Sequence, residues 1–216
     1  MNLQKIGGLA ALYEAAAYIF GFWLFLGYLD PSGYEGTAGK VAFLVETQTA
    51  QYIGNIAIYT LFGVFLVVLA LALHERLKAG AEALMQTATV FGFIWAGLVI
   101  ASGMISVVGA ETVVSLNATD PAGAGVLLQS ISTIQEGLGG GVEVVGGVWL
   151  LLLSIAALRG SILPKVLNYL GILVGAAGTL TIFPPISEIG AAIFGLGQII
   201  WFLWVGIVLL RTSNSA

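Results

Sequence analysis

The chain contains no cysteine. That excludes disulfides and thiolate metal sites, and it removes any clue to a redox compartment. It has one histidine, His74, too few for a bis-histidine haem or a zinc site built from protein ligands. His74-Glu75-Arg76 also lacks the second histidine of a zinc-protease helix. Charge is scarce: seven Lys and Arg and eleven Asp and Glu, 8% of 216 residues. A water-soluble domain carries about three times that share, so a soluble exterior cannot be built from this chain. No basic stripe is present, which argues against nucleic acid as a partner. The five prolines (Pro31, Pro121, Pro164, Pro184, Pro185) all fall between apolar runs, so no long helix is proline-broken.

What is abundant is apolar sequence. Hydrophobic residues make up 59%, and mean hydropathy is +1.03. A helix needs roughly 20 apolar residues to cross about 30 Å of hydrocarbon. Six stretches qualify: 6–29, 51–73, 85–108, 133–158, 166–183 and 187–210. The expectation is one all-α membrane domain, a polytopic bundle of six transmembrane helices. Lys5, Arg76, Lys78, Arg159, Lys165 and Arg211 fall at ends and loops that would share one side, and Lys40 alone falls on the other. The positive-inside rule then puts both termini in the cytoplasm of a prokaryotic plasma (inner) membrane. The first apolar run is too long for the core of a signal peptide, and no small-x-small cleavage site directly follows it.

Two exterior loops have content. Residues 37–49 mix apolar and charged side chains and read as a short amphipathic helix lying in the interface. Residues 111–130 turn from polar to apolar and read as a cap folding back. Asn117-Ala118-Thr119 matches a glycosylation acceptor, a pattern that chance explains as well.

Several motifs resemble a known family. The opening Lys5-Ile6-Gly7-Gly8-Leu9-Ala10-Ala11-Leu12-Tyr13 is one. A second runs Val142-Glu143-Val144-Val145-Gly146-Gly147-Val148-Trp149-Leu150, followed by residues 159–167 and by Gly171-Ile172-Leu173. On these the chain is similar to the small prokaryotic membrane proteins of domain-of-unknown-function family 4386. The motif-bearing match covers about a third of the chain. The resemblance implies the topology and the placing of Glu143 in the fourth span, and no activity.

An ionisable group at membrane depth is costly and marks a functional site by default. Glu14 and Glu143 are the two clear cases, and no Lys or Arg lies deep in any span to pair with them. At ~1.5 Å per residue Glu14 lies ~12 Å from the cytoplasmic edge and Glu143 ~15 Å from the outer edge. Matching depths from opposite faces suit an inverted repeat, although the two halves do not otherwise align. Both carboxyls sit on small-residue faces and should point into the bundle. Asn55, Ser102, Thr179 and Thr181 fall at the depth of Glu143, with Glu136 and Glu188 near the outer boundary and Gln198 near Glu14. The sharpest expectation is a polar cavity around Glu143 that opens outward. The plain alternative is that the carboxyls are interhelical hydrogen-bond groups and that Ser and Thr bond carbonyls of their own helices. Gly140, Gly147, Gly171, Gly175 and Gly178 are expected to carry close helix contacts. The run Gly137-Leu138-Gly139-Gly140-Gly141 fits neither dinucleotide nor phosphate loops, and reads as close packing or local unwinding beside Glu143. Trp23, Trp149, Trp201 and Trp204 read mostly as interface belt or packing.

Two functions follow from these readings. The first is a non-enzymatic accessory or regulatory subunit, without cofactor or metal, packing in the bilayer with a membrane partner or a second copy. The second is a small proton- or ion-coupled transporter using Glu143 and Glu14. An enzyme acting on lipid is less well supported, because no nucleophile or metal set accompanies the carboxyls.

Overall fold

The computed structural model describes residues 2–140 and 142–211. Eight α-helices follow in order: α1 (Leu3–Phe22), α2 (Gly36–Asn55), α3 (Phe62–Leu77), α4 (Glu82–Asn117), α5 (Pro121–Gln135), α6 (Val144–Gly160), α7 (Lys165–Leu180) and α8 (Ser187–Arg211), with no strand among the described residues. Local chemistry sets several of their ends. Asn2 accepts from the Lys5 amide at the start of α1. Asp120 accepts from the Gly123 amide at the start of α5, with Pro121 in the first turn. Ser161 closes α6 in the left-handed region.

Among the described residues, five helical runs are long and apolar enough to cross a membrane, which marks a multi-pass membrane protein. They are Leu3–Tyr28, Gly36–Gly80, Glu82–Asn117, Pro121–Gly160 and Pro184–Arg211. The expected fifth span, 166–183, instead forms a helix of only 16 residues, α7. At ~1.5 Å per residue it is ~24 Å long, short of the ~30 Å hydrocarbon core. Phe183 and Pro184-Pro185 end it, turning the chain directly into α8.

Three of the runs, Gly36–Gly80, Glu82–Asn117 and Pro121–Gly160, are much longer than a bilayer needs, the last being interrupted before Val144. α2 and α3 join through a π-helical stretch, Ile56–Leu61, into one rod of 45 residues, Gly36–Gly80. At ~1.5 Å per residue that is ~68 Å, and the 36 residues of α4 span ~54 Å. Residues 37–49 are therefore not a separate short helix but part of α2, which continues through Ile56–Leu61 into the second span. They stand on top of the second span and pack with the distal end of α4 and with α5. A separate small core, Val41, Leu44, Val113, Ala124 and Ile131, holds this distal layer together. Residues 111–130 do fold back, as the end of α4, a tight turn and α5.

The main core lies nearer the end that carries both termini, the basal end. There Gln4 Nε2 donates to the Leu209 carbonyl at 2.9 Å, and the α3–α4 turn at Gly80 packs on Gly160. Edge-to-face and tilted rings link Phe62, Trp95, Trp149 and Trp201 in sequence, with centroids 5.5–5.8 Å apart. Trp149 and Trp201 are thus core residues rather than belt residues, and only Trp23 of the set is strongly exposed.

α6 and α7 lie closest. A carbon added at Gly147 would sit 2.7 Å from the Gly175 carbonyl oxygen, and one at Gly175 would sit 2.8 Å from that of Gly147. Gly171 faces Ser154 and Trp201, and Gly178 faces Phe194 and Gly147. Gly8 and Gly206 meet in the same way between α1 and α8. Gly140 closes a π-turn, but its packing lies outside what the structure describes, as does Gly141 altogether.

Candidate functional site

The expected fourth span is broken where Glu143 sits. α5 runs into a π-turn, Glu136–Gly140, in which Gly139 has φ 116°, a conformation that favours glycine. The helix resumes only at Val144. Glu143 is the residue immediately before it, with non-helical angles (φ −94°, ψ 24°). Its amide donates to the Thr181 hydroxyl at 2.7 Å. That hydroxyl in turn donates to the Gly178 carbonyl at 2.7 Å. One threonine at the end of α7 thus satisfies a backbone group that the break leaves free.

The break opens onto a cavity of about 460 Å³. Its walls come from the distal half of α1, the Ile56–Leu61 stretch, α4 and the first turns of α8. Tyr18, Phe22, Phe25, Tyr59, Phe62 and Trp95 line it, with small residues such as Gly21, Ala191 and Gly195 opening the space. Glu143 is the one charged side chain in the lining, and it is half-buried. Tyr18 and Tyr59 share this lining with Glu143. Glu143 also borders a smaller pocket of about 140 Å³ beside Gly137, Leu138 and Ile182.

The other expected site residues disperse. Asn55 is buried but lines a different, more distal cavity. Ser102 is fully buried on α4, one turn beyond Val99 of the Glu143 cavity, and its hydroxyl has no hydrogen-bond partner among the described residues. Thr179 donates to the Gly175 carbonyl of its own helix at 2.8 Å, the plain alternative reading. Glu136 is exposed within the π-turn. Glu14 and Gln198 are fully buried, line none of these cavities, and have no hydrogen-bond partner among the described residues. Glu14 stands in an unbroken helix and Glu143 at a break, so the two are not equivalent in local structure.

Sequence reasoning missed the aromatic wall. Its residues come from five elements and share no spacing; the one available signal was that Tyr18 lies one turn beyond Glu14 on the same small-residue face. It also missed the π-helical stretch at Ile56–Leu61. There the Tyr13 hydroxyl donates to the Ala57 carbonyl at 2.9 Å, a side chain competing for the helix ladder. His74 sits at the basal end, its Nδ1 2.8 Å from the Thr89 hydroxyl, tying α3 to α4. Among the described residues no group of three or more His, Asp or Glu is placed to hold a metal.

The family model described as "Domain of unknown function (DUF4386)" matches residues 6–208. The chain belongs to this family. The match spans nearly all of the described bundle, so the broken helix, the Glu143 cavity and the distal layer all lie within the DUF4386 region. No curated protein and no solved structure matches the chain.

Proposed function

We propose that this DUF4386 protein is a small proton- or ion-coupled carrier in a prokaryotic plasma membrane, with Glu143 as the group that exchanges a proton or cation. One observation carries the reading: Glu143 lies at an interruption between two helical segments and faces a cavity of about 460 Å³. Interrupted helices at a polar site are a recurring device of membrane carriers. A carboxyl kept in a mostly aromatic cavity without a basic partner is costly, and cost at membrane depth is retained for function.

The topology that goes with this has both termini in the cytoplasm and six crossings, α7 being the short one. Support comes from Lys5, Arg76, Lys78, Arg159, Lys165 and Arg211, which all belong to the basal end. α7 packs between α6 and α8 and completes the bundle.

The competing reading, a non-enzymatic accessory subunit docked on a membrane partner or a second copy, drew on glycine faces. Those at Gly8, Gly147, Gly171, Gly175 and Gly178 are occupied within the chain, which weighs against it.

The test is proton flux. The chain is reconstituted into vesicles with an entrapped pH dye, and a potassium diffusion potential is applied. Flux in the native chain that is lost in Glu143→Gln and kept in Glu14→Gln supports the reading. Equal flux in Glu143→Gln and the native chain overturns it.

A further inference from the structure

A second cavity, of about 390 Å³, lies between α2, α4 and α5. Its wall is rich in polar side chains, among them Gln48, Gln51, Asn55, Ser106 and Gln135. Glu111 is its one charged residue, and Tyr52 also borders it. Neither this lining nor that of the Glu143 cavity contains a Lys, Arg or His.

The two cavities stand in series on the same three elements. On the α2–α3 rod, Asn55 lines the distal one and Ile58 and Tyr59 the inner one. On the α5–α6 segment, Gln135 lines the distal one and Gly139 and Glu143 the inner one. On α4, Ser106 lines the distal one and Val99 the inner one, ~10 Å apart along the helix. On α4, Gly103 stands between the residues that line the two cavities. Gly103 of α4 meets Tyr59 and Thr60 there so closely that an added carbon would lie 2.7 Å from Tyr59 Cβ and 2.8 Å from Thr60 Oγ1. Of the neighbouring strips of wall, Ile56–Leu61 is π-helical, a form that recurs at functional sites, and Glu136–Gly140 is kinked at Gly139. Ser102, whose hydroxyl has no hydrogen-bond partner among the described residues, adjoins Gly103.

We propose that the two cavities are successive stations for one ligand class, a small organic ammonium ion. The proposal rests on the carrier reading and names its ligand. Each station offers one carboxylate and no positive side chain, so an anion is repelled at both. The inner wall is aromatic, and ring faces attract a desolvated ammonium or trimethylammonium group. The distal wall is amide and hydroxyl, which replaces water around the same ion before it sheds its hydration. At ~300–1,000 Å³ for typical small-molecule sites, both volumes suit a molecule rather than a bare ion.

The absence of cysteine makes a direct test available. Single-cysteine variants Ser106→Cys (distal) and Ala191→Cys (inner) are placed in phosphatidylglycerol nanodiscs. They are labelled with a membrane-impermeant trimethylammonium thiosulfonate. Choline is the probe, and its neutral isostere 3,3-dimethylbutan-1-ol is the control. Choline should slow labelling at both positions, roughly tenfold at the inner one where carboxylate and rings act together. The isostere should protect neither. Adding Glu143→Gln should abolish protection at Ala191→Cys and leave that at Ser106→Cys, while Glu143→Asp should keep both.

Equal protection by choline and the isostere would overturn the ammonium assignment. An unreactive inner cysteine beside a reactive distal one would overturn the serial arrangement. Bilayers containing phosphatidylethanolamine form a separate arm. Protection of the inner cysteine by that lipid but not by free choline would assign the ammonium to a headgroup and overturn the distal station. Failure of choline to bind, with proton flux through Glu143 intact, would overturn this proposal and leave the carrier reading standing.

Discussion

The backbone N–H of Glu143 donates to the side-chain oxygen of Thr181, 38 residues later, at 2.7 Å. This bond ties the broken α5–α6 segment to the end of α7 and anchors the backbone that carries the carboxyl. Thr181 is almost fully buried, so its hydroxyl is not replaced by bulk water. Thr181→Val is expected to lower stability by about 1–3 kcal/mol, the usual effect of leaving a buried polar group unsatisfied. Thr181→Ser should recover most of it. Thermal unfolding in one fixed detergent measures both, and a Thr181→Val midpoint equal to the native one would mean the bond does not hold the break.

Close approach of α6 and α7 makes a second expectation sharp. Gly147→Ala puts a carbon 2.7 Å from the Gly175 carbonyl oxygen, and backbone cannot yield as a flexible side chain would. Overpacking of this kind typically costs about 1–3 kcal/mol. Gly97 is the control, because an added carbon there meets nothing within 4 Å. Gly97→Ala in the middle of α4 should be neutral or gain up to about 1 kcal/mol in helix propensity. The same unfolding measurement should separate the two variants clearly.

The distal layer has its own small core, so it should open by itself. Leu44→Ala removes a buried side chain from a cluster of five, at about 2–3 kcal/mol. Hydrogen exchange should then quicken in residues 36–50 and in α5, with α6–α8 unchanged. A uniform increase over all helices would instead mean that the layer and the bundle unfold together.

At the distal turn, the Ser32 amide and hydroxyl hold the Asp30 carboxyl below its ordinary value of 3.8. A depressed value means that the turn's contribution is complete above the ordinary value and is lost as pH falls through the depressed one. Carbon-detected NMR of the Asp30 side chain should show the low titration. Ser32→Ala should move it part of the way back, because the backbone donor remains. A titration unaffected by Ser32→Ala would remove the side-chain hydroxyl from the account.

Much of this bundle was legible in the sequence, for reasons particular residues show. Pro121, Pro164 and Pro184-Pro185 sit at helix starts and turns, where proline's fixed geometry belongs. Glu14 stood out because a lone carboxyl among alanines and glycines has no cheap explanation in lipid, and it is fully buried. Other features were hidden by what hydropathy measures. An apolar run looks the same whether its helix stops at the membrane edge or continues, so the rod through Val41 and Leu44 read as a separate interfacial piece. Trp149 and Trp201 were ambiguous because a belt and a core both place tryptophan in apolar sequence. The break at Glu143 was half visible in the surrounding glycines, but only Gly139's positive φ and the distant Thr181 fix it, and neither follows from local sequence.

The account turns on whether protons reach Glu143 through its cavity. The most direct measurement is pH-difference infrared spectroscopy of the chain in lipid, run beside Glu143→Gln, Glu14→Gln and phenylalanine variants of Tyr18 and Tyr59. The account predicts a reversible, pH-dependent carboxyl band that vanishes in Glu143→Gln and persists in the other three variants. A native spectrum whose carboxyl bands do not change with buffer pH, or change equally in Glu143→Gln, would contradict it and make Glu143 a sealed packing group.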